Sequence, residues 1–394
     1  MLGGIFYLYL LTGSTHYLVL LTTTLQEGQV QIIWLCFFLA FAVKMPLFPL
    51  HIWLPEAHVE APTVGSMLLA SLLLKLGGYG FLRFSLTLLA EGFTTYSNLV
   101  AAFSLLGVIY GSLSTIRQID LKRIIAYSSV AHMNMVMLGL ASANQQGLDG
   151  AIYLMIGHGV VSAALFFCIG VLYDRYHSRL LRYYGGLVTV MPLFASLFFA
   201  FTLANMGFPG TSNFLGEILL FLGIFAASSA VLLLATAGIV LAAIYSVWLY
   251  NRIIFGALKT EYIGEFADLT RREGGILLLL LLPMLLLGVI APPILDYASL
   301  PVRLLALLSE GAASMLLPTL LCLSPASRRR KEATPAAVTP VKGGRLEPSL
   351  VIRGRRPALR RYQPRRHPLL RRPHLRLLPP LRRGIAASIP RPTF

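Results

Sequence analysis

Charged residues and cysteines are scarce in this sequence of 394 residues, and each shortage excludes a class of protein. Only 12% of the residues are charged while 56% are hydrophobic, a balance that excludes an ordinary soluble domain and is typical of polytopic membrane proteins. The three cysteines, Cys36, Cys168 and Cys322, are far apart and lie in apolar runs. Their spacing indicates no zinc site, iron–sulfur cluster or disulfide framework. The sequence therefore predicts a membrane protein with no metal centre of its own.

Acidic residues are also scarce, at 16 against 33 Lys and Arg, but the positive excess is confined to one end of the chain. Residues 1–323 contain 14 basic and 14 acidic residues, whereas residues 324–394 contain 19 basic and 2 acidic residues. This tail is rich in Pro and Arg, which predicts a disordered or partner-bound segment. Because Tyr362 is its only aromatic residue before Phe394, we expect anionic lipid such as cardiolipin, or a neighbouring protein, as its partner, and no nucleic acid.

Apolar runs fill most of residues 1–300. Runs of about 20 residues are long enough to cross a bilayer as helices, and they are found near residues 3–23, 29–53, 63–86, 96–115, 122–142, 147–173, 187–224, 229–254 and 274–297. Residues 301–323 are apolar but interrupted by Arg303, Glu310 and Pro318, which predicts either an interfacial helix or one more crossing. We therefore expect a membrane helix bundle at 1–300, this additional helix at 301–323, and the basic tail at 324–394.

Two of the predicted spans contain helix breakers. Pro46 and Pro49 interrupt the second span just beyond Lys44, and the segment GFPGTSN at residues 207–213 interrupts the seventh. Unwound backbone is tolerated at membrane depth only where it is buried in protein or lines a wet cavity. In each break an apolar–Pro pair is followed by an acidic residue, a faint repeat of the kind found in inverted-repeat transporters with paired discontinuous helices.

Basic residues of the bundle occur in alternate loops, within residues 117–123, 175–182 and 252–272. The positive-inside rule therefore places this face of the bundle on the cytoplasmic or matrix side. The connection that contains Glu56 and Glu60 falls on the same face and is an exception, because it is acidic.

A few ionisable side chains lie within the apolar runs, where a charge is costly and each is a candidate functional residue. They are Lys44, Lys75, His132, His158 and Glu217. A row of such groups, connected by water, can pass protons stepwise. The alternative for either lysine is a fixed ion pair that joins two helices, and for His132 it is a hydrogen bond in helix packing. The positions of His51 and His58, near a span end and in a loop, favour an interfacial role.

Four long motifs in the sequence are similar to those of one known family. They are KMPLFPLHIWLPEAHVEAPTVGSMLLASLLLKLGGYG at residues 44–80, RQIDLKRIIAYSSVAHM at 117–133, MIGHGVVSAALFF at 155–167 and LANMGFPGTSNFLGE at 203–217. These motifs closely resemble NADH dehydrogenase subunit 4, one of the antiporter-like proton-pumping subunits of respiratory complex I. The resemblance implies an all-α polytopic membrane protein, built as an antiporter-like inverted-repeat helix bundle with two broken helices.

The resemblance also implies a role for each candidate residue in a proton relay. Lys44 matches the lysine of the first broken helix, which in the family pairs with a glutamate two helices earlier. Lys75 matches the connecting lysine of the next helix, and His132 and His158 match polar residues of the central hydrophilic axis. Glu217 matches the terminal acid of the second broken helix, where the sister subunits 2 and 5 carry a lysine.

The first five helices that are usual in the family have no counterpart here, so we expect the C-terminal part of such a subunit. A separate N-terminal half then supplies the missing helices and the glutamate for Lys44. The implied function is proton translocation within NADH:ubiquinone oxidoreductase, in the mitochondrial inner membrane, beside sister subunits 2 and 5. No cofactor is expected on this chain, because NADH, FMN, iron–sulfur clusters and ubiquinone belong to other subunits. The alternatives are a cation/proton antiporter subunit of related fold and a non-pumping structural subunit.

Overall fold

The computed structural model of the chain describes residues 1–258 and 266–323, which are helical almost throughout. Within these ranges there is no β-strand, only an isolated bridge between Asp120 and Leu180. The predicted all-α polytopic class is confirmed. The helices are α1 (Leu2–Thr12), α2 (Tyr17–Thr22), α3 (Glu27–Lys44), α4 (Trp53–Glu60), α5 (Thr63–Ser85), α6 (Ala90–Arg117), α7 (Leu121–Ala141), α8 (Gln145–Tyr176), α9 (Pro192–Asn205), α10 (Ser212–Ala227), α11 (Ser229–Ile254), α12 (Arg271–Val289) and α13 (Pro292–Leu323).

In the described part of the chain, seven helices are long and apolar enough to cross a membrane, namely α3, α5, α6, α7, α8, α11 and α12. Two predicted spans have different ends. The run at 3–23 forms two short helices, because Gly13 adopts a left-handed φ of 67° that ends α1. The run at 274–297 ends at Val289, and α13 then continues across the boundary predicted at residue 301. Whether α13 lies in the interface stays a prediction.

Both predicted helix breaks are present. Helix α3 ends at Lys44, and residues 45–52 turn before the short helix α4. The side-chain amide of Asn134 in α7 donates to the carbonyl of Pro46 at 3.0 Å, which ties this first break to the centre of the bundle. The second break, residues 206–211, separates α9 from α10 and contains Gly207 and Gly210 at φ values of 73° and 90°. Such backbone favours glycine, which explains the composition of GFPGTSN.

Helix α5 is irregular around Lys75. A π-helical turn at Leu69–Leu73 precedes this lysine, and a second one occupies Phe81–Ser85. A π-helical turn shifts the usual backbone hydrogen bonds by one residue and is frequent at functional sites. Here the carbonyl of Ala70 accepts a hydrogen bond from the Lys75 ammonium at 2.5 Å. The irregular turn therefore supplies one of the partners of the charge.

Helices α7 and α8 form the centre of the bundle, and most of their residues are buried. Helix α10 packs very closely on α8, because a Cβ atom added to Gly216 would lie 2.7 Å from the backbone nitrogen of Leu154. Small residues allow such close approach of helices in membranes. Since Gly216 precedes Glu217 in the chain, this contact also brings the acid of α10 to the bundle centre.

The acidic connection before α5 packs against the basic loops at one end of the bundle. Arg123 forms an ion pair with Glu56 at 2.9 Å, and the Lys122 ammonium donates to the carbonyl of Ala61 at 2.7 Å. Arg179 donates to the carbonyl of Val59. The pair of Arg123 and Glu56 gives one acidic residue of this connection a basic partner on the same face. The assignment of that face to the matrix side stays a prediction.

Candidate proton-relay site

Lys75 and His158 form the first contact of a buried polar row. The Lys75 ammonium lies 2.8 Å from Nδ1 of His158, and the lysine side chain reaches from α5 to α8. His158 is buried between Gly157 and Gly159. A Cβ atom on Gly159 would lie 3.2 Å from the carbonyl oxygen of Ser71, so the glycine permits the close packing of α8 on α5. This packing places the imidazole within hydrogen-bond distance of the lysine.

The row continues from α8 through α7 to α10. The imidazole rings of His158 and His132 have centroids 5.2 Å apart, and their planes are inclined by 48°. Nδ1 of His132 lies 3.6 Å from Oε1 of Glu217. Both histidines and the glutamate are buried. Four of the five candidate residues predicted from the sequence thus lie next to one another in a row, Lys75, His158, His132 and Glu217, which we call the polar row.

Lys44 lies outside the polar row, and the expectation that this lysine is buried is wrong. It is the last residue of α3, and its side chain is exposed. Lys44 follows Phe37 by seven residues and therefore lies near the face of α3 that buries Phe37 and Phe41, yet its side chain is exposed at the end of the helix. No acidic group in the described residues forms an ion pair with it. The relay role of Lys44 stays a prediction.

His58 is a buried histidine of α4, in the connection between α3 and α5. Its ring stacks on Phe166 of α8, with centroids 4.4 Å apart and planes inclined by 12°. Neither ring nitrogen has a hydrogen-bond partner among the residues described here. Burial, followed by the positive charges of Lys122 and Lys75, lowers the pKa of His58 to about 3. The ring is therefore neutral, and it is buried in the protein together with His51.

Two polar groups beside the row had no sequence signal strong enough to single them out. The hydroxyl of Tyr245 lies 3.5 Å from Nε2 of His132. Asn205, the last residue of α9, donates to the hydroxyl of Ser246 at 3.0 Å. Tyr245 is one of 17 tyrosines and lies in the apolar helix α11. Asn205 lies immediately before the second break, and this position was the one feature of the sequence that could have indicated a functional role for it.

Every side chain of the polar row is a titratable group. An amine, two imidazoles and a carboxylate all change charge by one proton, and histidine does so near neutral pH when unperturbed. In the two described ranges, no group of three or more His, Cys, Asp or Glu side chains is arranged to hold a metal ion. The row links four helices, α5, α8, α7 and α10, and thus extends through the bundle centre.

Residues 1–244 match the family model for the membrane region of NADH:quinone oxidoreductase and Mrp antiporters. The chain is 52% identical over 289 residues to NADH-ubiquinone oxidoreductase chain 4 of Marchantia polymorpha, a match that covers 73% of this chain and 58% of the relative. It is 53% identical over 296 residues to chain 4 of Triticum aestivum, covering 75% of this chain and 60% of the relative. The chain thus spans about three fifths of the length of these relatives.

Solved structures agree with the sequence matches. A chain of respiratory complex I from Thermus thermophilus superposes with a TM-score of 0.74 at 33% identity, covering 78% of this chain and 66% of that chain. A chain of the Mrp complex from Dietzia superposes with a TM-score of 0.68 at 21% identity, covering 81% of this chain and 65% of that chain, which shows a shared fold. The resemblance to subunit 4 is confirmed by the chain 4 relatives. The chain belongs to the NADH:quinone oxidoreductase/Mrp antiporter family of membrane proteins.

Proposed function

We propose that this chain is a proton-translocating membrane subunit of an NADH:ubiquinone oxidoreductase, located in the mitochondrial inner membrane. The observation that carries the proposal is the polar row, which joins Lys75, His158, His132 and Glu217 through the bundle centre. The chain 4 relatives, which are named as parts of this oxidoreductase, support the same assignment. The redox chemistry resides in other subunits, and this chain contributes proton transfer.

Within the row, each residue holds or passes a proton. Lys75 and His158 share a hydrogen bond of 2.8 Å, which is short enough for direct transfer between the amine and the imidazole. His132 receives the proton from His158 across the adjacent ring contact, and Glu217 is the terminal acceptor. A buried charge at any of these positions is costly unless a neighbour compensates it. When one residue of the row loses a proton, its charge changes. This change favours proton uptake or release by the neighbouring residue.

The exposed position of Lys44 supports a partner with a membrane carboxylate. This lysine lies on a surface with the exposed apolar side chains of Leu39, Val43 and Ile52. A charge on such a surface requires a counter-charge, and we propose that a separate polypeptide, the N-terminal half of the subunit, provides it. Sister subunits 2 and 5 and anionic lipid are the other proposed partners. Mass spectrometry of the intact assembly tests this proposal, and an assembly that contains no second chain with a glutamate in a membrane span contradicts it.

The decisive experiment replaces Lys75 by alanine in the assembled complex. We expect Lys75→Ala to leave assembly intact and to lower proton translocation driven by NADH by about a hundredfold, the low end of what one positioned proton-transfer group contributes. Quinone reduction coupled to translocation falls with it. Arg83→Ala is the matched control, because Arg83 is a cation of the same helix that packs over the ring of Tyr17, away from the row. A normal number of protons translocated per NADH in Lys75→Ala contradicts the proposal.

The second candidate function is cation/proton antiport, which the Mrp part of the family description favours. Proteoliposomes that contain the assembly distinguish the two functions. Sodium-dependent proton exchange in the absence of NADH supports antiport, whereas proton uptake that requires NADH and quinone supports the pump. The third alternative is a purely structural role, in which Lys75 only joins two helices. It predicts that Lys75→Met preserves both assembly and translocation, because methionine is of similar size and can pack between the same helices.

A further inference from the structure

The second break contains two glycines with the same left-handed backbone but different surroundings. Gly207 has a φ of 73° and Gly210 a φ of 90°, which side chains other than glycine rarely adopt. A Cβ atom at Gly210 would meet nothing within 4 Å. A Cβ atom at Gly207 would overlap with Oε2 of Glu217 and lie 3.1 Å from its carboxyl carbon. Backbone conformation therefore accounts for both glycines, but only Gly207 also leaves space for a member of the polar row.

The carboxylate of Glu217 lies between the break and α7. Its Oε2 occupies the side of Gly207 where a side chain would stand, while Oε1 lies 3.6 Å from Nδ1 of His132. The latter distance is longer than a good hydrogen bond between nitrogen and oxygen. Because Glu217 is also buried, packing against Gly207 contributes to the position of the carboxylate relative to His132.

Helix α12 limits the movement of the break. A Cβ atom at Gly288 in α12 would overlap with the carbonyl oxygen of Gly210 and lie 2.7 Å from the Cα atom of Thr211, so the two backbones are in close contact. The preceding residue of α12, Leu287, accepts a hydrogen bond at its carbonyl from the hydroxyl of Tyr153 in α8. Since the backbone of the break is packed against this helix, added volume at residue 207 displaces the flexible end of Glu217 more readily than the backbone.

We propose that Gly207 is a positioning residue for Glu217, and that the missing side chain at residue 207 leaves the space in which the carboxylate lies beside His132. The importance of this space for proton transfer rests on the proposed function, whereas the packing itself does not. A single methyl group at residue 207 then moves the carboxylate out of its place in the row. Misplacement by about 1 Å can cost about a hundredfold in rate.

The first test compares Gly207→Ala with Gly210→Ala in NADH-driven proton translocation by the assembled complex. Both variants add one methyl group to a left-handed backbone in the same break, but only Gly207→Ala adds it against the carboxylate. We expect Gly207→Ala to lower translocation by at least about tenfold and Gly210→Ala by less than about twofold. Equal rates in the two variants, at equal amounts of assembled complex, overturn the proposal.

The second test repeats Gly207→Ala in the Glu217→Asp background, because aspartate is shorter by one methylene and leaves room for the added methyl group. A role of Gly207 in backbone conformation alone predicts the same effect with either acid. We expect Gly207→Ala to lower translocation by less than about twofold relative to Glu217→Asp alone. If Gly207→Ala prevents assembly, adding Glu217→Asp should restore it. Equal effects in both backgrounds, or failure of both variants to assemble, overturn the proposal.

A density map of the whole complex separates this proposal from the proposed function. We expect the Glu217 carboxylate to be displaced in Gly207→Ala and to keep its place in Gly210→Ala. If Glu217→Gln translocates protons normally while this displacement is seen, the relay is wrong and the positioning of Glu217 by Gly207 stands. If Glu217→Gln abolishes translocation while the carboxylate is unmoved in Gly207→Ala, the relay stands and the positioning role is wrong.

Discussion

His158 lies between Lys75 and His132 in the polar row, because it shares a hydrogen bond with Lys75 and a ring contact with His132. We expect His158→Phe to keep an aromatic ring in this buried position and to lower NADH-driven proton translocation by at least about tenfold, since the variant ring exchanges no proton. His177→Asn serves as the control, because His177 is an exposed histidine at φ 52° and asparagine tolerates that backbone. Translocation measured in proteoliposomes checks the prediction, and equal rates in both variants contradict it.

His58 predicts a pH dependence of stability. The pKa of a histidine in an unfolded chain is about 6.5, whereas burial and the nearby lysines hold the pKa of folded His58 at about 3. Between these values the unfolded chain binds more protons, so stability is full above pH 6.5 and falls as the pH falls toward 3.

We therefore expect the apparent melting temperature of the purified complex to fall between pH 7.5 and pH 5 in the parent, and to fall less in His58→Phe. The phenyl ring of this variant keeps the stacking on Phe166 but does not titrate. A substitution of the exposed His16 by glutamine should retain the parental pH dependence. An unchanged pH slope in His58→Phe would exclude His58 as its cause.

At this scale the sequence predicted four members of the row but not their contacts. Lys75, His132, His158 and Glu217 were recognisable because ionisable side chains are rare and costly in apolar runs. Tyr245 was not, because a tyrosine in an apolar helix is ordinary and its value comes from the partner it meets across helices. Lys44 was recognisable for the same reason as Lys75, but the residue pattern of α3 did not predict its exposure, because Lys44 lies near the face that buries Phe37 and Phe41.

Among the elements, α12 is joined to α8 by one strong ion pair. Arg175 and Glu273 form two parallel hydrogen bonds of 3.1 and 2.9 Å, and both side chains are largely buried. Arg175 also donates to the carbonyls of Ala267 and Asp268, and so holds the segment before α12 in place. The carboxylate of Asp268 in turn accepts hydrogen bonds from the backbone of Leu193 and Phe194 at the start of α9.

We expect Arg175→Gln to destabilise the docking of α12 by about 2 kcal/mol, because it removes bonds to a charged group that is left partly buried. The apparent melting temperature should fall, while Arg252→Gln, at an exposed arginine of α11, should leave it unchanged. Adding Glu273→Gln should then cost less than the sum of the single effects, since the two residues interact directly. Additive effects in this double-mutant cycle contradict the importance of the pair.

The helix breaks were predictable, but several helix ends were not. Proline and glycine restrict or release the backbone locally, so the sequence alone indicates a break at Pro46 and Pro49 and at the glycines of residues 207–213. The end of α1 at Gly13 was missed because a single glycine in an apolar run is often tolerated within a helix. The π-helical turns of α5 have no composition signal at all. The first turn, at Leu69–Leu73, packs against α8, whereas the second, at Phe81–Ser85, packs against α3 and α6.

For the whole molecule, the orientation in the membrane is testable with helix α6, whose two ends are exposed at Glu91 and Arg117. The positive-inside rule predicts that Arg117 lies on the matrix side and Glu91 on the opposite side. We expect a membrane-impermeant maleimide to label Glu91→Cys in intact mitoplasts and Arg117→Cys in inverted particles, above the labelling of the parent chain. The reverse pattern would invert the proposed orientation.

The overall architecture could be predicted because each helix and each break is encoded by residues that are neighbours in the sequence. The polar row could not, because its members come from different helices. Apolar runs of membrane length and two proline- or glycine-rich breaks define a helix bundle. The row forms because Gly216 allows α10 to approach Leu154 of α8, and because Gly159 allows α8 to approach Ser71 of α5. Each contact joins residues more than 60 positions apart, and no periodicity along one helix encodes it. The basic tail, residues 324–394, lies outside the described residues, so the expectations for it stay predictions.

The contacts that hold the connection before α5 against the basic loops also have a consequence for biogenesis. Val59, Ala61 and Glu56 are held by Arg179, Lys122 and Arg123, all of which leave the ribosome later. During translation, α4 therefore lacks these three basic partners until α7 and the loop after α8 have been synthesised and inserted. A nascent chain arrested before residue 122 should expose this connection to protease, and one arrested far enough beyond residue 182 for Arg179 to have left the ribosome should protect it.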